Sequence, residues 1–326
     1  MTHEYHWGWL IVNYLFLAGV SAGAMATSGL ANYLGGRKLE NIGRIGAYVA
    51  PFPVLIGTGL LIFDLGRPER AWRLFAGVHW TSPMSIGSWL LTGFIVISLL
   101  YFLLWLPEKY QRFVRVPHRL KDMRHLRRWR PLNPTQNRQG KLILGGLGLP
   151  VSVGVGMYTG VLLGAIPARP FWNTPMVAQL FLFSAMSTGV GSILFIRSLL
   201  SEDHGTKAEH MLLNSMDSVL IVFEIFMIIP FLLHQTLSTW SHKEAVQLIM
   251  GGQYTLHFWL GVVVLGILTP LGIEIFELWN LVAKKHEPRV HLNLGLVSGG
   301  LVIVGGFILR YVFVYAGQVS HFLPHY

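Results

Sequence analysis

The chain has no cysteine among its 326 residues. That excludes disulfides, cysteine-ligated iron–sulfur clusters and c-type haem attachment within it, so any metal-centred electron transfer must be borrowed from a partner. Charge is scarce too: Asp, Glu, Lys and Arg make up 12% of the sequence, against 52% hydrophobic residues. Acidic residues are the scarcer sign, 15 against 25 basic. The net charge of +10 would suit nucleic acid, but most of the excess falls in one stretch beside an apolar run. There it suits a membrane surface instead, and no nucleic-acid partner is expected. No short basic segment with a small-residue cleavage site precedes the first apolar run, so that run is expected to persist as a helix.

What the chain has in abundance is apolar runs longer than the roughly 18 residues that mark a spanning helix. Eight spans are predicted, at about 8–34, 43–64, 85–106, 141–164, 176–200, 213–237, 255–277 and 292–317. The expected fold class is all-α, a polytopic membrane helical bundle forming a single domain over residues 1–326 in the lipid bilayer. Sorting Lys and Arg by alternate loops places nineteen on one side: Arg37, Lys38, Arg44, eleven between Lys109 and Lys141, Arg197, Lys207, Lys284, Lys285 and Arg289. The positive-inside rule then turns both termini outward. The 107–140 loop, with Arg124, Arg127, Arg128 and Arg130 around Trp129, reads as a topology anchor on the headgroups; a partner site is the alternative. Gly19 and Gly23, Gly156, Gly160 and Gly164, and Gly295 and Gly299 recur at the spacing of close helix contacts.

Asp64 to Trp89 forms a short charged link between two spans. Pro68 and Ser82-Pro83 predict ordered turns there, and Arg67, Arg70, Arg73 and Trp80 suit an outward docking surface, joined by Arg169 and Trp172 of the next outward loop.

A strongly polar side chain inside the bilayer costs about 2.5 to 3.5 kcal/mol on insertion scales, so each one calls for a partner or a function. Depth along each span brings Asn13, Asp64, Tyr158 and Arg310 to the outer third of the membrane. Topology does not say whether they are laterally close. Asn13 could instead bond a neighbouring helix, Tyr158 could belong to an interfacial belt, and Asp64 could cap the link or pair with Arg67. A deeper set comprises Glu224 and Asp217 on one face of the sixth span, with Arg197, Glu274 and Glu277 near inner ends. Ser184, Ser187, Thr188 and Ser192 add a polar stripe on the fifth span. These residues form either a structural ion-pair network or a proton path. Histidines fall in loops or near span ends, as with His210, His234 and His257, which does not suit haem ligation within a span.

These residues are specific enough for a resemblance. The sequence resembles the NrfD/PsrC family, the membrane subunits of polysulfide reductase and related respiratory oxidoreductases, over essentially its whole length. The resemblance rests on Trp7-Gly-Trp9, Asn13-Tyr-Leu-Phe-Leu-Ala-Gly19 with Ser21-Ala-Gly23, Asp64-Leu-Gly-Arg-Pro68, Ser82-Pro-Met-Ser85 with Trp89, Tyr158-Thr-Gly160, Pro170-Phe-Trp-Asn-Thr-Pro175 and Arg310-Tyr311. It implies a haem-free bundle in a bacterial or archaeal plasma membrane that exchanges electrons between menaquinone or ubiquinone and a four-cluster iron–sulfur subunit on the outer face. That subunit serves a molybdopterin catalytic subunit. The family's quinone site matches Asn13 and Tyr158, with Asp64 nearby, and its polar conduit matches the serine stripe and Arg310. Some members place a His one turn after the Asn, where this chain has Leu17. Two other functions fit the composition: a transporter in which the buried acids carry ions past the Pro230 and Pro270 segments, and a passive anchor.

Overall fold

A computed structural model describes residues 7–64, 82–106, 138–200, 207–283 and 292–321 of the chain. The docking candidates Arg67, Arg70, Arg73 and Trp80, and residues 107–137 of the basic loop, lie outside them. The described residues are helical and without strands. Eight helical stretches are long and apolar enough to cross a membrane. They are α1 (Trp9–Leu34), α2 and α3 as one broken span (Glu40–Val49 and Pro51–Asp64), α4 (Pro83–Trp105), α5 (Arg138–Gly164), α6 (Met176–Leu200), α7 (Lys207–Leu237), α9 continued by α10 (His257–Leu268 and Thr269–Ala283), and α11 (Leu292–Val319). A short α8 (Trp240–Met250) lies between the sixth and seventh spans.

Departures from the predicted spans have local causes. α7 begins at Lys207 rather than near residue 213, because Glu209 is neutralised by Arg197 at 3.6 Å and can be buried. α8 is too short to span, and it buries Ala245, Val246 and Ile249 against the bundle end. The second span breaks before Pro51. Two of the first N–H groups of α3 are absent because Pro51 and Pro53 have none, and the Val54 N–H donates to Ser21 Oγ of α1 at 2.8 Å. α9 is wound as a π-helix that ends just before Pro270, with the Thr269 N–H and hydroxyl both donating to the Val264 carbonyl. A proline ring would collide with the carbonyl four residues back in ordinary α-winding, and the wider turn avoids that clash.

α1 and α6 are the most deeply buried spans. Their backbones touch at Gly23 and Gly189, where a Cβ on Gly23 would stand 2.8 Å from the Gly189 Cα. α3 and α5 pack on α1, and α4 packs on α5; α7 and α11 pack on α6, with α10 against both of them. Both chain ends share one face of the bundle, tied there by the loop after α5. Trp7 stacks on Trp172 at 5.2 Å, Trp172 Nε1 donates to the Phe313 carbonyl at 2.7 Å, and Gln318 Nε2 donates to the Trp7 carbonyl at 2.8 Å. Beneath the loop, Phe171, Phe181, Phe231 and Phe313 form a plug of ring contacts.

Gly189→Val should therefore prevent formation of a compact bundle, since the obstacle it meets is backbone. Gly93→Ala, where a Cβ meets nothing within 4 Å, should be neutral or stabilise by up to about 1 kcal/mol. Membrane yield and size-exclusion profile in detergent check both.

Candidate functional site

Two polar assemblies lie on opposite sides of α1. The first is a pair of phenols. Tyr14 sits five residues into α1 and Tyr158 six residues before the end of α5, so both are near the face that carries the chain ends. Tyr14 is fully buried and its hydroxyl has no hydrogen-bond partner. It lies within electrostatic range of Tyr158. Tyr158 is packed so closely on Gly87 of α4 that any Cβ there would occupy the place of its hydroxyl. Gly57 of α3 lies against the Tyr14 backbone. Asp64 ends α3, partly exposed, on the face that Val54, Gly57 and Leu61 share at helical spacing.

Asn13 does not face Tyr158. Its amide donates to the Trp9 carbonyl at 2.8 Å, and it shares the α1 face of Trp9 and Phe16, whose rings pack on Phe307 of α11. The next residue, Tyr14, is the one turned toward Tyr158. Sequence reasoning missed it because α1 is apolar almost all round, so periodicity carries no information about which neighbour each face meets.

The second assembly is a file of buried acids between α6, α7, α10 and α11. Starting from the face opposite the chain ends, Arg197 pairs with Glu209, and Arg197 NH1 lies 3.5 Å from His210 Nδ1. His210 Nε2 lies 3.2 Å from Glu277 Oε2, which also accepts from Asn214 Nδ2 at 2.6 Å. One turn further, Ser298 and Ser218 donate to the two oxygens of Glu274 at 2.7 and 3.0 Å, and Ser187 donates to Asp217 Oδ1 at 2.6 Å. Asp217 Oδ2 has no hydrogen-bond partner, and the Glu274 carboxyl lies within electrostatic range of it. Beyond Ile221, Glu224 lies within electrostatic range of Ser184 and Arg310. Arg310 NH1 donates to Ser184 Oγ at 2.6 Å and to the Gly306 carbonyl at 2.8 Å. The phenylalanine plug then closes the file, with the Arg310 guanidinium 5.4 Å from the Phe181 ring centroid.

Arg310 therefore joins the acids rather than the phenols. Of the serine stripe, Ser184 and Ser187 point into the file. Thr188 and Ser192 do not donate there, because their hydroxyls give their protons to carbonyls of their own helix. His210, Asn214, Ser218 and Ser298 were missed. The first two extend the Asp217 and Glu224 stripe of α7 one heptad toward its start, which is the signal that could have found them. On the docking loop, Trp172 is 2% exposed and packs inside the chain end, which corrects its reading as a surface anchor. Arg169 is partly exposed and held by the Ser320 carbonyl at 2.9 Å and by the His321 ring.

The family model described as polysulphide reductase, NrfD, matches residues 1–321. The chain belongs to the NrfD family. A polysulfide reductase polypeptide of Wolinella succinogenes is 32% identical over 319 residues, covering 96% of this chain and 94% of that one. Protein NrfD of Escherichia coli is 29% identical over 328 residues, covering 96% and 95%. A selenate reductase subunit of Mesobacillus selenatarsenatis is 24% identical over 347 residues, covering 100% and 76%. Family membership and the eight apolar helices make the chain a multi-pass membrane protein.

In this NrfD-family chain Glu224 and Arg310 are both buried and lie within electrostatic range of each other. Arg310→Met should cost about 3–5 kcal/mol, because it leaves a buried acid without its cation. The double variant Arg310→Met/Glu224→Gln should recover most of that loss, since both charges are gone. Thermal unfolding in detergent, compared around the four-membered cycle, measures the coupling.

Proposed function

We propose that this chain is the quinone-reacting membrane subunit of a respiratory oxidoreductase complex. It exchanges electrons between menaquinone or ubiquinone in the bilayer and an iron–sulfur subunit on the face that carries the chain ends, which in turn serves a molybdopterin catalytic subunit. Relatives named as parts of polysulfide and selenate reductases support the setting. The absence of cysteine requires that the clusters belong to a partner. The observation that carries the assignment of the site is the buried Tyr14 hydroxyl without a partner, turned toward Tyr158. An orphaned buried phenol costs about 1–3 kcal/mol until something bonds to it. The oxygens of a quinone head group are suitable partners in both redox states, because a phenol donates to a carbonyl and accepts from a quinol hydroxyl.

Oxidation of a quinol releases two electrons and two protons. In this reading Tyr14 and Tyr158 hold the ring oxygens, and Asp64, at the partly exposed end of α3, exchanges protons with water at the mouth. Gly87 keeps the Tyr158 hydroxyl in place by leaving it room. Asn13 lies on the adjoining face and lines the approach along α1. The acid file would hold and pass protons from the opposite face as far as Arg310, with Ser184, Ser187, Asp217, Glu224 and Glu274 as its inner relay and Arg197 at its mouth. Docking of the iron–sulfur subunit falls to the 65–81 stretch with Arg67, Arg70, Arg73 and Trp80, and to Arg169.

Tyr14→Phe and Tyr158→Phe keep the rings and remove only the hydroxyls. Each should leave the complex assembled and lower quinol-dependent turnover about ten- to hundredfold, the effect of one buried hydrogen bond or slightly more. Activity with artificial donors to the catalytic subunit should persist. Full quinol turnover in both variants, or a quinone bound near the face opposite the chain ends, would refute the site. Glu224→Gln keeps the hydrogen-bonding shape and removes the titrating group, so it should lower the number of protons moved per electron pair in proteoliposomes. An unchanged stoichiometry would reduce Glu224 to a structural residue.

A further inference from the structure

Neither polar assembly uses the joint between α7 and α8, on the face of the bundle that carries the chain ends. His234 in the last turn of α7 and His242 in the first turn of α8 meet there edge to face, with ring centroids 5.5 Å apart. The turn that brings them together is closed by its own backbone: the Ser238 N–H donates to the His234 carbonyl and the His242 N–H to the Thr239 carbonyl, both at 3.0 Å. Thr239 Oγ1 lies 2.8 Å from His242 Nδ1, a contact that a hydroxyl makes with either tautomer of the ring. His242 is 7% exposed, because it continues the apolar stripe that Ala245, Val246 and Ile249 form along α8 at helical spacing. Lys243, Glu244 and Gln247 occupy the exposed face of the helix. The far end of α8 is tied to the segment that follows it: Trp259 Nε1 donates to the Ile249 carbonyl at 3.0 Å and the Tyr254 N–H to the Leu248 carbonyl at 2.9 Å.

A neutral imidazole is tolerated in such a stripe, whereas an imidazolium has to give up water and lie beside a second ring that is charged in the same pH range. Burial, and after it the charge of His234, hold the His242 ring below the ordinary imidazole value. The titratable and charged groups around the joint are His234 on α7, Lys243 and Glu244 on the exposed face of α8, and His321 with Arg169 beyond the end of α11. We propose that the His234–His242 pair is a pH-sensitive clasp, which holds the first turns of α8 on the bundle while the rings are neutral and frees them when both take up protons. A ring whose pKa is lowered by docking binds its proton more readily once α8 is free. Docking therefore weakens as pH falls below about 6.5, the value of an unburied imidazole, and weakens no further below the docked value. With its far end still tied through Trp259, α8 would swing rather than detach. That movement uncovers its apolar stripe on the face where a partner docks under the proposed reading, although the clasp itself does not depend on that reading.

The test is hydrogen–deuterium exchange, read by mass spectrometry on the full-length chain held in nanodiscs, from about pH 8 to about pH 5, a range that spans imidazole titration. Rates are corrected for the intrinsic pH dependence of amide exchange. In wild type the amides of residues 240–246 should lose protection on acidification with an apparent midpoint at or below about pH 6.5, while those of residues 184–194 in α6 stay protected throughout. His242→Gln leaves Thr239 a side-chain partner and removes the titrating ring, so it should abolish the pH dependence. His234→Gln leaves one charge where there were two and should move release to lower pH. Equal protection of residues 240–246 at both ends of the range in wild type, or an unchanged pH profile in His242→Gln, would each overturn the proposal. Should His242→Gln loosen α8 at every pH, His234→Gln decides: a lowered midpoint supports the clasp and an unshifted one overturns it.

Discussion

The contact on which the rest of the structure depends is the backbone approach of α1 and α6 at Gly23 and Gly189. Lipid tails are as apolar as leucine, so burial of hydrocarbon does not drive helices together inside a bilayer; close packing and interhelical hydrogen bonds must do it. Glycine against glycine brings two helix axes near enough for both. With α1 fixed at the centre, its opposite faces acquire different neighbours. One presents Tyr14 to the α3–α5 side. The other presents Gly19, where an added Cβ would stand 3.2 Å from Arg310 NH2. A single helix thus forms a wall of both polar assemblies, and the absence of a side chain at Gly19 is what lets the guanidinium lie against it.

Charge arithmetic governs the acid file. Glu209, Asp217, Glu224, Glu274 and Glu277 are all buried, and two guanidinium groups, Arg197 and Arg310, accompany them with the His210 imidazole. Five carboxylates beside two permanent cations would leave several unpaired charges in a medium where each costs several kcal/mol. The file is stable only if some of its carboxyl groups hold protons. Hydroxyls of Ser187, Ser218 and Ser298 donate to the central acids. Under the proposed reading, titratable groups that interact this closely would share their protons, which is the property a relay needs.

How much of this was legible in the sequence depends on whether the signal was one-dimensional. Spans were readable because an apolar run of sufficient length has few other uses, and the broken second span and the last span end within a few residues of expectation. The start of α7 was not, because Lys207, Glu209 and His210 look too polar to be helical until Arg197 of another helix is placed beside Glu209. Asp217 and Glu224 were legible as a stripe, since a seven-residue spacing on one helix needs no partner to be seen. The lateral relation of Asn13 to Tyr158 was not legible for the converse reason: depth along a span says nothing of direction around a helix. Trp172 was read as exposed because it lies in a loop, but that loop folds over the bundle end and buries it.

The separation of phenols from acids bears on how the two would work together under the proposed reading. Among the described residues no hydrogen-bonded path joins Tyr14 or Tyr158 to Arg310, and the phenylalanine plug seals the file on the side of the chain ends. A continuous proton wire is not needed for them to be coupled. Tyr14 and Gly19 are five positions apart on α1, about 7 Å of rise. Two unit charges about 10 Å apart across an effective dielectric of about 20 interact by about 1.7 kcal/mol. That is more than the free energy of one pH unit. Redox-linked charge at the phenol pair would therefore be sufficient to shift a proton along the acid file, with α1 serving as the dielectric wall between the two sites rather than as a conductor.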